Sequence, residues 1–552
     1  MQNLPSNHGQ TVELHLPIDL QGVPLDGDPR LLPAVLGVTS LAPSQVAAVV
    51  IRKRSIDLRR RRQPMWVLRC DVFLRPSAAP DLALPPLLRT LHLAKKPQGL
   101  SPIIVGMGPA GLFAAIAFAE AGVRCIVLER GQAVEPRALD VRDLRVHGQL
   151  HEESNLCYGE GGAGTFSDGK LYTRSKHPFV PDIYARLVAL GADPDISVAA
   201  HPHVGSNRLI PMMKTLREAL REAGHELRFG QRMTDLLQDG HGRVCGVRLD
   251  DGTELQGTHV ILATGHSARD TYRLLAQRGV ALQRKDFAIG ARVEHPQALV
   301  DQAQLGELAG HPALGAAEYF LRQQVSVSGQ TQGVYSFCMC PGGFILPSPT
   351  QADRLNVNGM SNANRGSGFA NAALVTQVAA SEFYWQRPGD LAADADFGDH
   401  VAGGALAGVA LQERLEKACF SMGGGAYAAP TQRLTDFVRG QASASLPARM
   451  TYRPGAALGR IDQLLPRRVV AALAQGAKQV EQGQFKGYLS QEAVIVGVET
   501  TTSSPVRIVR GADRQSVSHP GLYPCAEGAG YAGGIVSSAI DGYEAALAIL
   551  QA

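Results

Sequence analysis

The stretch PIIVGMGPAGLFAAIAFAEAGVRCIVLERG, residues 102–131, decides the fold of this chain. An apolar β-branched run, Ile103 to Val105, leads into Gly106-x-Gly108-x-x-Gly111 and an alanine-rich helical pattern. A second apolar strand, Cys125 to Leu128, follows and is closed by Glu129. Each glycine has its own task. Gly106 permits the tight turn, Gly108 lets the main chain approach a pyrophosphate, and Gly111 lets the helix lie close on the strand. The free N–H groups at the helix start and the helix dipole both favour an anion there, beside Pro109 and Ala110. Glu129 stands 18 residues beyond Gly111, where a carboxylate accepts both hydroxyls of an adenosine ribose and repels a 2′-phosphate. Strand, helix, strand and acid in this order predict a βαβ unit that holds a dinucleotide rather than an empty glycine turn.

With 552 residues the chain exceeds one ordinary domain, so two or three are expected. Apolar residues make up 45% and charged residues 19%, a balance that suits a soluble globular protein with large cores. A net charge of +4 gives no reason to expect a polyanionic partner. The 8 cysteines fit neither a zinc spacing nor a disulfide framework, so no metal is expected and the setting is a reducing one. MQNLPSNHGQ carries no signal pattern, and the apolar stretch around 111–121 is interrupted by Glu120 well short of a bilayer span. These features point to a cytoplasmic protein without membrane contact.

Two further glycine clusters sharpen the cofactor. Tyr523 to Gly528 ends a strand, Ala529 to Gly534 is glycine-rich, and Ile535 to Leu550 reads as a helix. A second helix start so far from the first suits an extended dinucleotide, FAD, whose ring lies far from its adenosine. Glu527 is then placed to accept a ribityl hydroxyl, and the helix start faces the flavin ring. The third cluster, Gly159 to Lys170, offers bare backbone to the pyrophosphate or the ring. The candidate cofactor residues are Gly106, Gly108, Pro109, Ala110, Gly111, Glu129, Arg130, Gly162, Gly164, Thr165, Gly265, Glu527, Gly528, Gly534 and Ile535.

Several long motifs carry a family resemblance: KRSIDLRRR (53–61), GMGPAGLFAA (106–115), YGEGGAGTFSDGKL (158–171), ATGHSARDTY (263–272), FAIGARVEHPQ (287–297), YSFCMCPGG (335–343), NGMSNANR (358–365), GVETTTSSPVRI (497–508) and EGAGYAGGI (527–535). Across nearly its whole length the chain resembles a bacterial group of FAD-dependent dehydrogenase-like proteins. The resemblance implies a glutathione-reductase-like FAD fold and says little about the substrate. Tyr158 departs from it, standing where phenylalanine is expected.

The organisation follows. Residues 1–95 read as a small α/β module of order β-α-β-β-α, its last helix drawn from LALPPLLRTLHLA, and residues 95–102 as a linker. Residues 96–290 and 500–552 form a Rossmann-type FAD-binding domain with a β-meander inserted at 224–265. Residues 291–499 form a mixed α+β substrate or cap domain, with strands near 292 and 333–347 and helices near 370–384 and 466–480. Residues 438–450 read as a mobile loop.

The chemistry is expected at five residues. Lys170 either lies near flavin N5 or N1 or is a solvated loop lysine. His266 acts as an acid or base or steadies its loop. Arg292 either grips a substrate carboxylate or carbonyl, or pairs with Glu294 on the same strand face. Cys338 and Cys340 point the same way on a strand, as pocket walls or as a redox pair, and the strain of a CxC bond favours walls. The function expected is that of an FAD-dependent oxidoreductase passing hydride through flavin N5 to or from a small molecule. No second nucleotide βαβ is present in the sequence, so NAD(P)H enters only as a transient reductant. The alternatives are an RNA- or protein-binding flavoprotein using the basic runs Arg52-Lys53-Arg54 and Arg59 to Arg62, and a flavin monooxygenase. Low net charge and sparse aromatics weigh against nucleic acid.

Overall fold

The apolar strand Pro102–Val105 is buried at every residue, because it runs in the middle of a parallel sheet with neighbours on both sides. That five-stranded sheet has the order Leu522–Pro524, His259–Leu262, Pro102–Val105, Ile126–Leu128, Glu226–Arg228, and all its pairs are parallel. A computed structural model describes residues 8–19, 22–58, 64–76, 85–93, 98–382 and 404–552. The helix Pro109–Glu120 is buried almost all round, since the C-terminal helix Ile535–Gln551 lies directly on it. The closeness of that contact requires glycine: a Cβ on Gly542 would run into the Ala110 carbonyl. Glu120, which interrupts the apolar helix, is buried with Arg186 at 2.8 Å and the Tyr543 hydroxyl at 2.7 Å.

Residues Met233–Gln238, Val244–Leu249 and Glu254–Gln256 form a three-stranded antiparallel sheet beside the parallel one. The remaining large sheet has seven strands, in the order Arg322–Val327, Gln330–Cys340, Phe369–Val378, Phe287–Pro296, Val494–Glu499, Ala429–Arg433, Ala456–Leu458. The amphipathic helix Arg467–Gln482 covers one of its faces. Buried ion pairs join the two sheets' surroundings: Arg269 meets Glu416 at 2.6 and 2.7 Å, and Thr500 donates to the same carboxylate at 2.5 Å.

The first strands give a three-stranded antiparallel sheet, His8–Pro17, Met65–Leu74, Val46–Asp57, with helix Leu31–Val38 against it. It is fastened to the main body through its basic run. Arg54 is 7% exposed, pairs with Asp195, and its N–H donates to the Val198 carbonyl at 2.7 Å. Arg52 pairs with Asp71 at 2.7 Å, so two of the three cations in 52–54 are engaged internally. Arg59 to Arg62, and residues 95–97 of the expected linker, lie outside the described residues.

Two expected helices are absent among the described residues. The described part of LALPPLLRTLHLA, residues 85–93, is non-helical; Pro85 and Pro86 remove the N–H donors a helix needs, and the segment straps onto the core through N–H bonds from Arg89 and Leu91 to Glu120. Residues 369–378 form a strand instead of the helix expected near 370–384. It lies inside the seven-stranded sheet and is buried on both faces, which erases the alternation that identifies a strand. The loop at 438–450 is irregular from 441 but tied down, with Arg433 bonded to Ser443 and Ser445 at 2.8 Å. Among the described residues no helix is long and apolar enough to cross a membrane.

One buried acid makes this fold sensitive to pH. Glu294 is 2% exposed and accepts bonds from the Thr451 N–H and hydroxyl. Burial raises its pKa from the ordinary 4.5 to about 7. Between those values the folded state holds a proton that the unfolded state has lost, so this stability is full below about 4.5 and drains as pH rises through 7. Glu294→Gln removes the titration. Its unfolding free energy relative to the wild type is expected to improve by on the order of 3 kcal/mol between pH 5 and pH 8, as read by urea denaturation across that range.

Candidate functional site

A single cavity runs from the Gly106 turn past the start of the C-terminal helix to the edge of the seven-stranded sheet. Its first wall is the glycine turn. Gly106 adopts φ +104, and a Cβ there would strike the Ala263 carbonyl. Gly111 lies behind the wall, where a Cβ would strike the Gly106 carbonyl. Gly108 faces Gly162 across the cavity floor so closely that a Cβ on Gly162 would stand 2.9 Å from the Gly108 Cα. Two helices begin at this cavity, at Pro109 and at Ile535, and neither start is capped by a side chain. Their open N–H groups and positive dipole ends suit an anion and an electron-rich ring.

The loop 155–166 has little side chain of its own and is held by two buried charges. Arg137, fully buried, donates to the carbonyls of Asn155, Leu156, Glu160 and Gly162 at 2.6–3.0 Å. Burial lowers its pKa to about 10. Glu129 does the reverse, accepting N–H bonds from Met107, Gly131 and Gly159, each at 2.9 Å. Sequence reasoning assigned this carboxylate wholly to a ribose; it lines the cavity, yet most of its acceptor capacity ties three loops together. Arg130 lies 4.1 Å above the Tyr158 ring and pairs with Glu153 and Asp270. The hydroxyl that distinguishes Tyr158 from phenylalanine donates to the Ser267 carbonyl at 2.6 Å.

At the far end lie Lys170, Phe337, Cys338, Cys340, Asn358 and Gly359. Lys170 bonds to Asp168 at 2.6 Å. Burial disfavours its charge, but the Asp168 carboxylate bonded to it favours that charge, and its pKa is raised. The ammonium therefore stays protonated. Cys338 is the exposed member of the cysteine pair and Cys340 the buried one, whose thiol burial pushes up. The φ of +45 at Cys338 and a bulge between Phe337 and Cys340 replace the regular alternation expected there. Both cysteines are free thiols. Arg292 does not line the cavity. It is fully buried, bonded to Glu499 at 2.6 and 3.2 Å and to the Cys338 carbonyl, Asn371 and Asn358 at 2.9–3.0 Å. Its carboxylate partner is thus Glu499, while Glu294 turns to Thr451. His266 lines the cavity, with Nε2 2.9 Å from the Thr501 carbonyl and Nδ1 3.7 Å from Glu527.

Of the expected cofactor residues, Gly106, Gly108, Pro109, Ala110, Glu129, Arg130, Gly162, Gly164, Gly265, Glu527, Gly534 and Ile535 line this one cavity. Thr165 and Gly528 do not. The Thr165 hydroxyl turns back to the Glu160 carbonyl, and Gly528 packs under Gly265. Asp168, Phe337, Asn358, Thr501 and Thr502 line it without having been singled out; the last three sit in the motifs NGMSNANR and GVETTTSSPVRI, which was their only signal.

Residues 286–502 match the family described as FAD-dependent protein, C-terminal domain-like, and residues 100–271 match an FAD binding domain. The chain is 35% identical over 523 residues to an uncharacterized protein of Clostridium beijerinckii, covering 93% of this chain and 94% of that one. Over 164 residues, 30% of this chain and 36% of the relative, it is 30% identical to the probable electron transfer flavoprotein-quinone oxidoreductase YdiS of Escherichia coli. Among solved structures, CtdE in complex with FAD aligns over 82% of this chain and 84% of its own, at 11% identity and a TM-score of 0.29.

Arg137→Met keeps the volume but takes the guanidinium from four carbonyls, of which that of Glu160 keeps the Thr165 hydroxyl. It is expected to cost about 3 kcal/mol or more in a urea titration and to open the 155–166 loop to limited proteolysis.

Proposed function

The chain belongs to this family of FAD-dependent proteins, and on that premise we propose how its cavity serves an FAD-dependent oxidoreductase. The carrying observation is that two uncapped helix starts and the facing backbones of Gly108 and Gly162 bound one cavity. That cradle fits a long, flat, anionic dinucleotide: bare main chain at the pyrophosphate, and a positive helix end at each half. Bound FAD supplies reversible two-electron chemistry at its ring.

In this reading Gly106 to Ala110 hold the pyrophosphate with Gly162 opposite. Glu129 accepts about four hydrogen bonds in all; with Met107, Gly131 and Gly159 already on it, one position on Oε2 serves a ribose hydroxyl. Arg130, flattened on Tyr158, borders the adenosine end. Glu527 and His266 border the middle of the cavity. The start of the helix at Ile535 favours negative charge near the ring by about 0.3–2 kcal/mol. We read residues 96–290 and 500–552 as a glutathione-reductase-like cofactor domain and 291–499 as the side that meets a small-molecule substrate. The N-terminal module, residues 1–95, has its own small sheet. Among the described residues the seven-stranded sheet pairs antiparallel except between 429–433 and 456–458. It offers no second βαβ, which supports NAD(P)H as a transient reductant at most. The engagement of Arg52 and Arg54 supports this enzyme over an RNA-binding module.

The purified protein is expected to carry one FAD per chain. Gly162→Val, which forces a branched side chain against Gly108, lowers bound FAD by about tenfold or more, measured by the flavin-to-protein absorbance ratio. Full FAD retention by that variant rejects the cradle. Anaerobic addition of NADH or NADPH tests the reductant, read as bleaching of the flavin band.

A further inference from the structure

We infer that the far end of the cavity is a subsite for an organic carboxylate on an apolar body, received by the Lys170 ammonium and the Asn358 amide. The inference rests on the FAD reading of the rest of the cavity and names the substrate class of the same site.

The walls at this end are apolar: the Phe337 ring, the Cys338 and Cys340 thiols and Ile535. Three cations stand near it, and two are already committed. Arg292 is fully buried with its donors on Glu499, Asn371, Asn358 and the Cys338 carbonyl. Arg365 is paired with Glu318 at 2.7 Å. Lys170 differs. Its side chain is 27% exposed, whereas that of its partner Asp168 is 4% exposed. Both members of the ion pair line the cavity, and the ammonium is the more exposed of the two. An ammonium has three N–H donors, and one is directed to Asp168 at 2.6 Å.

The second donor follows from a forced amide orientation. Asn358 Oδ1 accepts from Arg292 at 3.0 Å and from the Gly359 N–H at 2.7 Å. Both partners are donors only, so the oxygen must face them and Nδ2 is the other end. Asn358 lines the cavity, and its Nδ2 has no partner among the described residues. Of the neighbouring hydroxyls, Thr502 donates to the Ala288 carbonyl and Ser167 to the Gly164 carbonyl, while the Thr501 oxygen accepts from Asn356. The end of the cavity presents the two remaining N–H donors of the Asp168-paired Lys170 ammonium and the Asn358 amide between apolar walls. A carboxylate accepts from both groups with a charge opposite to the ammonium's; an amine would meet the ammonium head-on, and a neutral amide accepts only as an uncharged oxygen. Arg292 acts here as a positioning residue, since one guanidinium fixes both the Cys338 carbonyl and the Asn358 amide.

The test uses the flavin-loaded protein, after bound FAD has been quantified, with three probes of one shape: benzoate, benzamide and benzylamine at millimolar concentration. Benzoate is expected to shift the flavin absorption band saturably, with a matching heat in calorimetry, and to bind more tightly than the other two. Lys170→Met is expected to weaken benzoate by about tenfold or more, while Lys170→Arg retains it; FAD content and thermal unfolding verify that both variants are folded. Equal binding of benzamide or benzylamine, unchanged benzoate binding by Lys170→Met, or absence of benzoate binding to a protein that holds FAD overturns the inference and leaves the cofactor reading standing. A protein that binds no FAD removes the premise instead, and with it the inference.

Discussion

Glycine-rich loops bring the backbone close to a ligand only by giving up the side chains that would otherwise hold them. In this protein two buried charges supply what the glycines lack. The Arg137 guanidinium collects the carbonyls of the 155–162 segment, and the Glu129 carboxylate collects N–H groups from the Gly106 turn, from Gly131 and from Gly159. Cation to carbonyls and anion to N–H groups is the electrostatically favourable assignment for each, and each bond to an ionised partner is stronger than one between neutral groups. The cavity floor, where Gly108 meets Gly162, is rigid because these two residues hold both of its sides. The need for glycine follows in turn: a Cβ on Gly159 would occupy the space of the Arg137 side chain.

The same device recurs wherever the cavity meets the second sheet. Arg292 with Glu499, and Arg269 with Glu416, are desolvated pairs; the remaining Arg292 donors reach the Cys338 carbonyl and Asn358 at the cavity, and Glu416 also accepts from the Thr500 hydroxyl. Replacing such pairs with apolar residues often leaves stability unchanged or improves it. What they contribute here is direction: a buried guanidinium accepts partners only in its own plane, so the loop that supplies those partners has one position. Cys338 keeps a left-handed conformation against its intrinsic preference, and its carbonyl is one of those partners.

Much of the site was legible because its logic is local. The spacing of Gly106, Gly108 and Gly111, the acid at 129 and the glycine run before Ile535 each describe one turn and one helix start, and twelve of the fifteen residues read in that way line the cavity. Thr165 was misread because a hydroxyl beside a glycine run can turn inward as readily as outward, and only the position of the Glu160 carbonyl decides between them. Arg292 was misread for a different reason. Strand alternation paired it with Glu294, but its true partner is on a strand more than two hundred residues away. The strand at 369–378 was read as a helix because burial on both faces leaves no period to see.

By itself the sequence determined the βαβ unit, the second helix start and the dinucleotide they imply, since each depends on backbone freedom at fixed spacings along a short stretch. Only the tertiary structure decided which charges face the ligand. Lys170, Arg292 and Arg365 are equivalent as letters. Burial, and the carboxylate that happens to fold against each, commits two of them to the scaffold and leaves the Lys170 ammonium turned toward the cavity, because the cost of an unpaired buried charge is settled by neighbours in space and not in sequence.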